Sequence, residues 1–154
     1  MQVSRKTDYA LRALFCLVEH HGGQPVPIRE IARRNDIPKK FLEQIMLELK
    51  AQGWVTSSPG TNGGYRLAKE PGRITLGEIV RHFEEMLAPI ACVSVKKYER
   101  CTQQNVCRFR RVFLDVRNYV TTALDGATLQ MVYSGAPVET QEVFGGGINV
   151  GAGI

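Results

Sequence analysis

Ile28-Arg29-Glu30-Ile31-Ala32-Arg33-Arg34-Asn35-Asp36-Ile37-Pro38-Lys39-Lys40-Phe41-Leu42-Glu43-Gln44-Ile45-Met46 is the stretch that sets the fold. Ile28, Ile31 and Ala32 recur at helical spacing, and Phe41, Leu42, Ile45, Met46 and Leu49 do so again a few residues later. Asn35-Asp36-Ile37-Pro38 separates the two runs as a turn. Aspartate can take the left-handed conformation that such a turn needs, although glycine is commoner there. Pro38 is placed to open the next helix, where a missing N–H costs nothing. A small residue, Ala32, falls where two helices must cross closely, and Ile31, Ile37, Leu42 and Ile45 supply the contacts between them. This is the pattern of a helix-turn-helix.

The flanks extend it. Tyr9, Leu11, Leu14, Phe15 and Val18 predict a first helix over residues 7–20, stopped by Gly22 and Gly23. Gly53 ends the helix that carries Phe41 to Leu49. Trp54-Val55-Thr56 and Gly64-Tyr65-Arg66-Leu67 then predict two short strands joined by Pro59-Gly60-Thr61-Asn62-Gly63, a hairpin of wing length. Thr75 and Glu78 have capping-box spacing, which predicts a helix over residues 76–86. Residues 89–107 show no period and read as a loop. Val112, Phe113, Val116, Tyr119, Val120, Ala123 and Leu124 predict a long helix over 109–124 with one broad apolar stripe, ended by Gly126. A short turn over 128–132 and a glycine-rich tail complete the chain. The expected architecture is mainly α with a small β wing. A winged helix-turn-helix spans residues 1–80, a cysteine loop and C-terminal dimerisation helix span 81–132, and a disordered tail spans 133–154.

Charge follows the same division. The 154 residues carry a formal net charge of +5, with 44% hydrophobic and 23% charged residues, ordinary values for a folded protein. Residues 1–73 hold 12 Lys and Arg against 7 Asp and Glu, whereas residues 74–154 hold 8 of each. The basic excess therefore lies wholly in the front half, which suits a phosphate-facing module. Apolar runs are too short for a membrane span and the first helix does not read as a cleavable leader, so a cytoplasmic protein is expected. His20, His21 and His82 form no nucleophile–base pattern with any cysteine, which speaks against an enzyme with a small-molecule substrate.

Lys39, Lys40, Glu43, Gln44 and Lys50 lie off the apolar face of the second helix of the motif. Glu43 could accept from a cytosine amino group and Gln44 could pair with adenine, while Lys39 and Lys40 suit phosphates. Arg29, Pro38, Phe41 and the wing residues Ser58, Gly60, Thr61 and Asn62 complete the expected contact set for double-stranded DNA. The competing reading makes the same side chains a solvated face of a protein-interaction winged helix.

Cys92, Cys101 and Cys107 fall within 16 residues. Thiolates are soft ligands suited to iron–sulfur clusters or zinc, and Lys96, Lys97, Arg100 and Arg108 favour the thiolate form. Three thiols are one short of a closed site, so a fourth ligand comes from elsewhere, with His82 a weak candidate. Direct oxidation of the thiols without metal is the other option. Cys16 sits on the apolar face of the first helix and reads as core.

Further stretches carry a resemblance: Thr7-Asp8-Tyr9-Ala10-Leu11-Arg12, Ile31-Ala32, Phe41-Leu42-Glu43-Gln44-Ile45, Gly60-Thr61-Asn62-Gly63-Gly64-Tyr65-Arg66-Leu67, Ile74-Thr75-Leu76-Gly77-Glu78-Ile79-Val80 and Ala123-Leu124-Asp125-Gly126-Ala127-Thr128-Leu129. Over about residues 1–132 the sequence resembles the winged-helix regulators that include the iron–sulfur regulator IscR, the nitric-oxide-responsive repressor NsrR and the iron-responsive RirA. The resemblance implies a transcriptional repressor that binds a partly palindromic operator as a homodimer, with Glu43 and Gln44 at base edges. It also implies a 4Fe–4S cluster, favoured over 2Fe–2S or zinc, held by Cys92, Cys101 and Cys107 of one subunit and Asp8 of the partner subunit. Such a cluster would respond to nitric oxide, oxygen or iron status. A first-turn acid favoured by the helix dipole explains Asp8 equally well without metal. Three positions depart from the family pattern. Pro59 stands where an arginine commonly precedes the wing glycine, Phe41 replaces a frequent tyrosine, and Arg110 occupies the place of the histidine ligand of IscR-like members.

Overall fold

The structure, a computed structural model, describes residues 2–145. Its helices are α1 (Arg5–Glu19), α2 (Ile28–Arg34), α3 (Lys39–Ala51), α4 (Leu76–Phe83), α5 (Arg110–Gly126), α6 (Leu129–Ser134) and α7 (Thr140–Gly145). Two strands, β1 (Val55–Ser58) and β2 (Gly64–Leu67), follow α3, and single 3-10 turns cover Pro71–Arg73 and Ala91–Val93. The fold is the expected winged helix-turn-helix.

The helix-turn-helix forms for the reasons its residues suggest. Asp36 alone among the described non-glycine residues has positive φ, at 52°, so the turn closes through the left-handed state that its short polar side chain tolerates. The Ile37 N–H donates to the Ala32 carbonyl at 3.0 Å and the Asn35 side-chain amide donates to the Ile31 carbonyl at 2.8 Å, which answers the open carbonyls at the end of α2. Leu42, Ile45, Met46 and Leu49 of α3 are all fully buried, against an α1 face of Ala10, Ala13, Leu14 and Leu17.

Gly53, at φ 70°, ends α3 and lets Trp54 enter the core. The strands pair antiparallel from Val55↔Leu67 to Ser58↔Gly64. Val26 and Tyr65 then exchange backbone hydrogen bonds of 2.8 and 2.9 Å, which stitches the wing to the segment before α2. A Cβ at position 64 would overlap the Val26 carbonyl, so this approach requires glycine.

The capping box of α4 is complete, Thr75 and Glu78 each accepting from the other's backbone N–H. This helix ends at Phe83 rather than at the predicted Met86. Glu84 leaves in an extended conformation because its carboxylate is drawn to the start of α1. The predicted turn at 128–132 is helix α6. Leu129 is fully buried there, and its N–H donates to the Ile74 carbonyl at 2.9 Å. The chain thus leaves the front half at α4 and returns to it at α6. Between these points α5 is the long helix expected, and none of its residues is buried. Of the expected tail, α7 is described and buries nothing, whereas residues 146–154 lie outside the described residues. No helix among the described residues is long and apolar enough to cross a membrane.

Truncating a fully buried α3 residue should be costly, since that face seats the helix on α1. Ile45→Ala is expected to lower stability by about 2–5 kcal/mol in urea unfolding with little change of slope.

Candidate nucleic-acid interface and cysteine cleft

α3 turns a polar face outward. Pro38, Lys39, Lys40, Glu43, Gln44 and Lys50 are exposed, and the wing tip residues Gly60, Thr61 and Asn62 are exposed beside them. A groove of about 340 Å³ runs between the start of α2, the start of α3 and the wing. Arg29, Lys39, Ser58 and Gly60 line it together, so residues spread over 32 positions meet on one surface. Gly60 has φ 98°, which turns the hairpin at that point.

Three predicted residues have additional duties. Phe41 is half-buried and packs edge-to-face on Tyr9 of α1 at 5.7 Å, so its ring braces α3 rather than standing free. Glu43 pairs with Lys39 one turn earlier at 3.6 Å. Lys50 donates to the Ser57 hydroxyl at 2.7 Å, tying the far end of α3 to β1. One residue of this face escapes the sequence pattern. Leu47, 63% exposed, sits one turn beyond Glu43 and Gln44 on the outward side. Its signal was available in the spacing, since Leu42, Ile45, Met46 and Leu49 already fill the inward stripe.

Polar contacts from α1 and α4 hold the back of α3. Lys6 of α1 reaches Glu48 of α3 at 2.7 Å, and His82 of α4 approaches the other oxygen of Glu48 at 3.6 Å. The His82 ring is stacked edge-on against Trp54 and Phe83. Its polar edge and its faces are thus engaged, which accounts for the residue without a metal. Glu84 accepts from the Ser4 N–H at 2.7 Å and from the Thr7 hydroxyl at 2.5 Å. Burial alone would raise the Glu84 carboxyl, but the bonds from Thr7 and Ser4 outweigh it and hold the group below the usual carboxylate range.

The cysteine loop rests on α5. Arg110 donates to the Cys92 carbonyl through Nε and Nη2 at 3.2 and 2.9 Å, and Arg117, two turns on, donates to the Val93 carbonyl at 2.9 Å. In the sequence Arg110 stands out only as the residue in place of a histidine. The structure gives it a role, since it fixes the backbone of the first thiol. Cys92 and Cys107 line an open cleft of about 390 Å³ with Tyr98, Gln104 and Arg110. Cys101 is exposed and does not line it. Among the described residues no three Cys, His, Asp or Glu side chains converge on one point within the chain. Asp8 is held by Arg12, with contacts of 3.0 and 2.7 Å, and does not line the cysteine cleft. The donor set nevertheless suits a soft metal or an anionic cluster. Two thiols share a cleft with the guanidinium groups of Arg110, Arg111 and Arg117, and a third lies six residues before Cys107 on the same loop. Cys16 is different. Burial pushes its thiol up, and it serves as core.

The family model described as Rrf2, an iron-dependent transcriptional regulator, matches residues 3–135. The chain belongs to the Rrf2 family. Among Rrf2 relatives, it is 37% identical over 142 residues to an rrf2-like HTH-type regulator sequence of Rhodobacter capsulatus, covering 88% of this chain and 95% of that one. It is 33% identical to the regulator NsrR of Bacillus licheniformis, covering 84% and 90% of the two chains. The structure of CymR, the global cysteine regulator of B. subtilis, superposes with a TM-score of 0.74 at 30% identity, covering 89% of this chain and 99% of CymR. Rrf2 membership accounts for the wing and the long helix together, and it makes this chain a transcriptional regulator by family.

Thiol exposure sets an order of reactivity. In reduced, metal-free protein a maleimide should label Cys101 first, Cys92 and Cys107 more slowly, and Cys16 only after unfolding. Peptide mass spectrometry over a labelling time course checks this order.

Proposed function

We propose that this Rrf2 protein binds double-stranded DNA as a homodimer and that its cysteine loop sets the affinity. The observation that carries the DNA reading is the shared groove of α2, α3 and the wing. It brings Arg29, Lys39, Ser58 and Gly60 onto the same surface as the exposed Lys40, Glu43 and Gln44. A helix with a packed back and a polar front is what the major groove admits, and a wing beside it suits the phosphate backbone. Gln44 would meet adenine, Glu43 cytosine once released from Lys39, and Lys39, Lys40 and Arg29 the phosphates. Pro38, Lys50, Thr61 and Asn62 lie along the same face. Pro59, exposed before Gly60, offers no guanidinium for the minor groove, so operator recognition rests more heavily on α3.

The second subunit follows from α5. Val112 is 60% and Tyr119 78% exposed along a stripe that no element among the described residues covers. A second α5 would cover it and set the distance between the two α3 helices, which a two-fold operator requires. The cysteine loop sits on the opposite edge of α5 through Arg110 and Arg117, so its state bears on that spacing.

For the ligand of the loop we propose an iron–sulfur cluster, 4Fe–4S in preference to 2Fe–2S, with Cys92, Cys101 and Cys107 as thiolate donors and Asp8 of the partner subunit as the fourth. When bound it would supply a centre that nitric oxide, oxygen or iron loss can attack. The residues of this chain do the rest. Arg110 holds the backbone of Cys92, the neighbouring guanidinium groups favour thiolates, and Arg12 positions the Asp8 carboxylate. A second reading is supported by the exposure of Cys101, which suits a thiol oxidised directly, with CymR as the similar regulator concerned with cysteine. In this account the protein represses transcription in a reducing interior.

Two measurements test the proposal. Lys39→Gln and Lys40→Gln should each weaken binding to a duplex from the protein's own upstream region and lower the salt slope by about 1. Gln44→Ala should cost about 1–3 kcal/mol at one base pair and leave the slope alone. Anaerobically purified protein should be brown, and Cys101→Ala should lose the visible absorption. A colourless wild-type protein that still changes affinity on oxidation would select the thiol reading.

A further inference from the structure

Glu84 occupies a position that neither DNA binding nor cysteine chemistry explains. It is the first residue after α4 and the start of the segment that leads to Cys92. Its side chain points forward, accepting from Ser4 and from the fully buried Thr7 in the first turn of α1. Among the described residues the only other side-chain partner of Thr7 is Ser4, at 3.0 Å, so three groups close one small knot. Its backbone faces the other way. Lys96 of the cysteine loop donates to the carbonyls of Arg81 and Glu84, and Lys97 pairs with Glu85. Glu84 also lines a cavity of about 390 Å³ together with Ser94, Val95, Lys96 and Arg117. Beyond the knot, Lys6 continues from α1 to Glu48 on α3 at 2.7 Å, and His82 reaches the same carboxylate from α4.

We propose that Glu84 is a positioning residue that couples the cysteine loop to the recognition helix, by holding the first turn of α1 to the end of α4. This inference rests on the reading that the loop controls DNA affinity. Hydrogen bonds fail within a fraction of an ångström of misplacement, so the knot has a made and an unmade state rather than a graded one. A rearranged loop that draws Lys96 and Lys97 away pulls residues 84 and 85 with them. The first turn of α1 then loses its anchor, and Lys6 and Asp8, which flank Thr7, shift together. One side of Thr7 thus leads to Glu48 and α3, the other to the carboxylate proposed for the partner's cluster.

The measurement is a double-mutant cycle on full-length protein: wild type, Cys101→Ala, Glu84→Ala and the double variant, each purified anaerobically and titrated with the upstream duplex. Cys101→Ala should change the operator Kd by about tenfold, within the usual range of coupling between sites. In the Glu84→Ala background the same substitution should change it by less than about twofold. Glu84→Gln keeps an acceptor for Ser4 and Thr7 and should restore much of the response. The salt slope of Glu84→Ala should match wild type, because no phosphate contact is lost. Thr7→Val, which removes the hydroxyl and keeps the shape, should reproduce the loss of response. It replaces Glu84→Ala in the cycle if that protein does not melt cooperatively. An equal fold-change from Cys101→Ala in both backgrounds overturns the role of Glu84. A Cys101→Ala protein that binds DNA as wild type does overturns the loop reading itself and this inference with it.

Discussion

The burial of one helix face governs this molecule. Leu42, Ile45, Met46 and Leu49 are fully enclosed, each contributing roughly 1.5–3 kcal/mol, and they fix which side of α3 faces outward. Everything exposed on α3 is exposed because those four are not. The cross-links behind the helix, from Lys6 and His82 to Glu48, add little free energy at a partly solvated surface. They add orientation instead. The braces at the two ends, Phe41 on Tyr9 and Lys50 on Ser57, join α3 to α1 and to the wing. The surface that would meet DNA is therefore a composite of α1, α2, α3 and hairpin.

The front half was legible because its constraints are local. A turn that needs left-handed backbone at Asp36, a glycine at 53 and a capping box at Thr75 and Glu78 each announce themselves within a few residues. The premature end of α4 could not be read that way. Nothing near Glu84 in sequence says that its carboxylate belongs to residues 4 and 7, a bond spanning 80 and 77 positions. The same holds for Arg110 and Arg117. Their spacing on one face of α5 is visible, but their acceptors are backbone carbonyls, which every residue has and which no pattern marks. Leu47 falls outside the stripe of Leu42, Ile45, Met46 and Leu49 by spacing, but an apolar side chain does not match the polar pattern by which a contact face is recognised.

The cysteine loop shows the limit from the other side. Spacing identifies the three thiols at once, and chemistry identifies what they suit. Yet Cys92 and Cys107 share a cleft while Cys101 stands apart, and Asp8 is engaged by Arg12 in its own chain. Spacing along a loop does not say how the loop folds, and among the described residues the three thiols are not gathered at one point. The resemblance to regulators with different signals reflects the same economy, since one scaffold carries a short irregular segment whose contents can change without touching the core.

The uncovered state of α5 has a consequence for how such a regulator would behave in a cell. A 17-residue helix with no buried residue gains little from its own chain beyond α4 and the cysteine loop, so the proposed second copy would add to its order. Abundance then becomes an input in its own right. At low copy number the proposed dimer would dissociate, and separate chains would hold the cysteine segment with fewer contacts whatever the chemical signal.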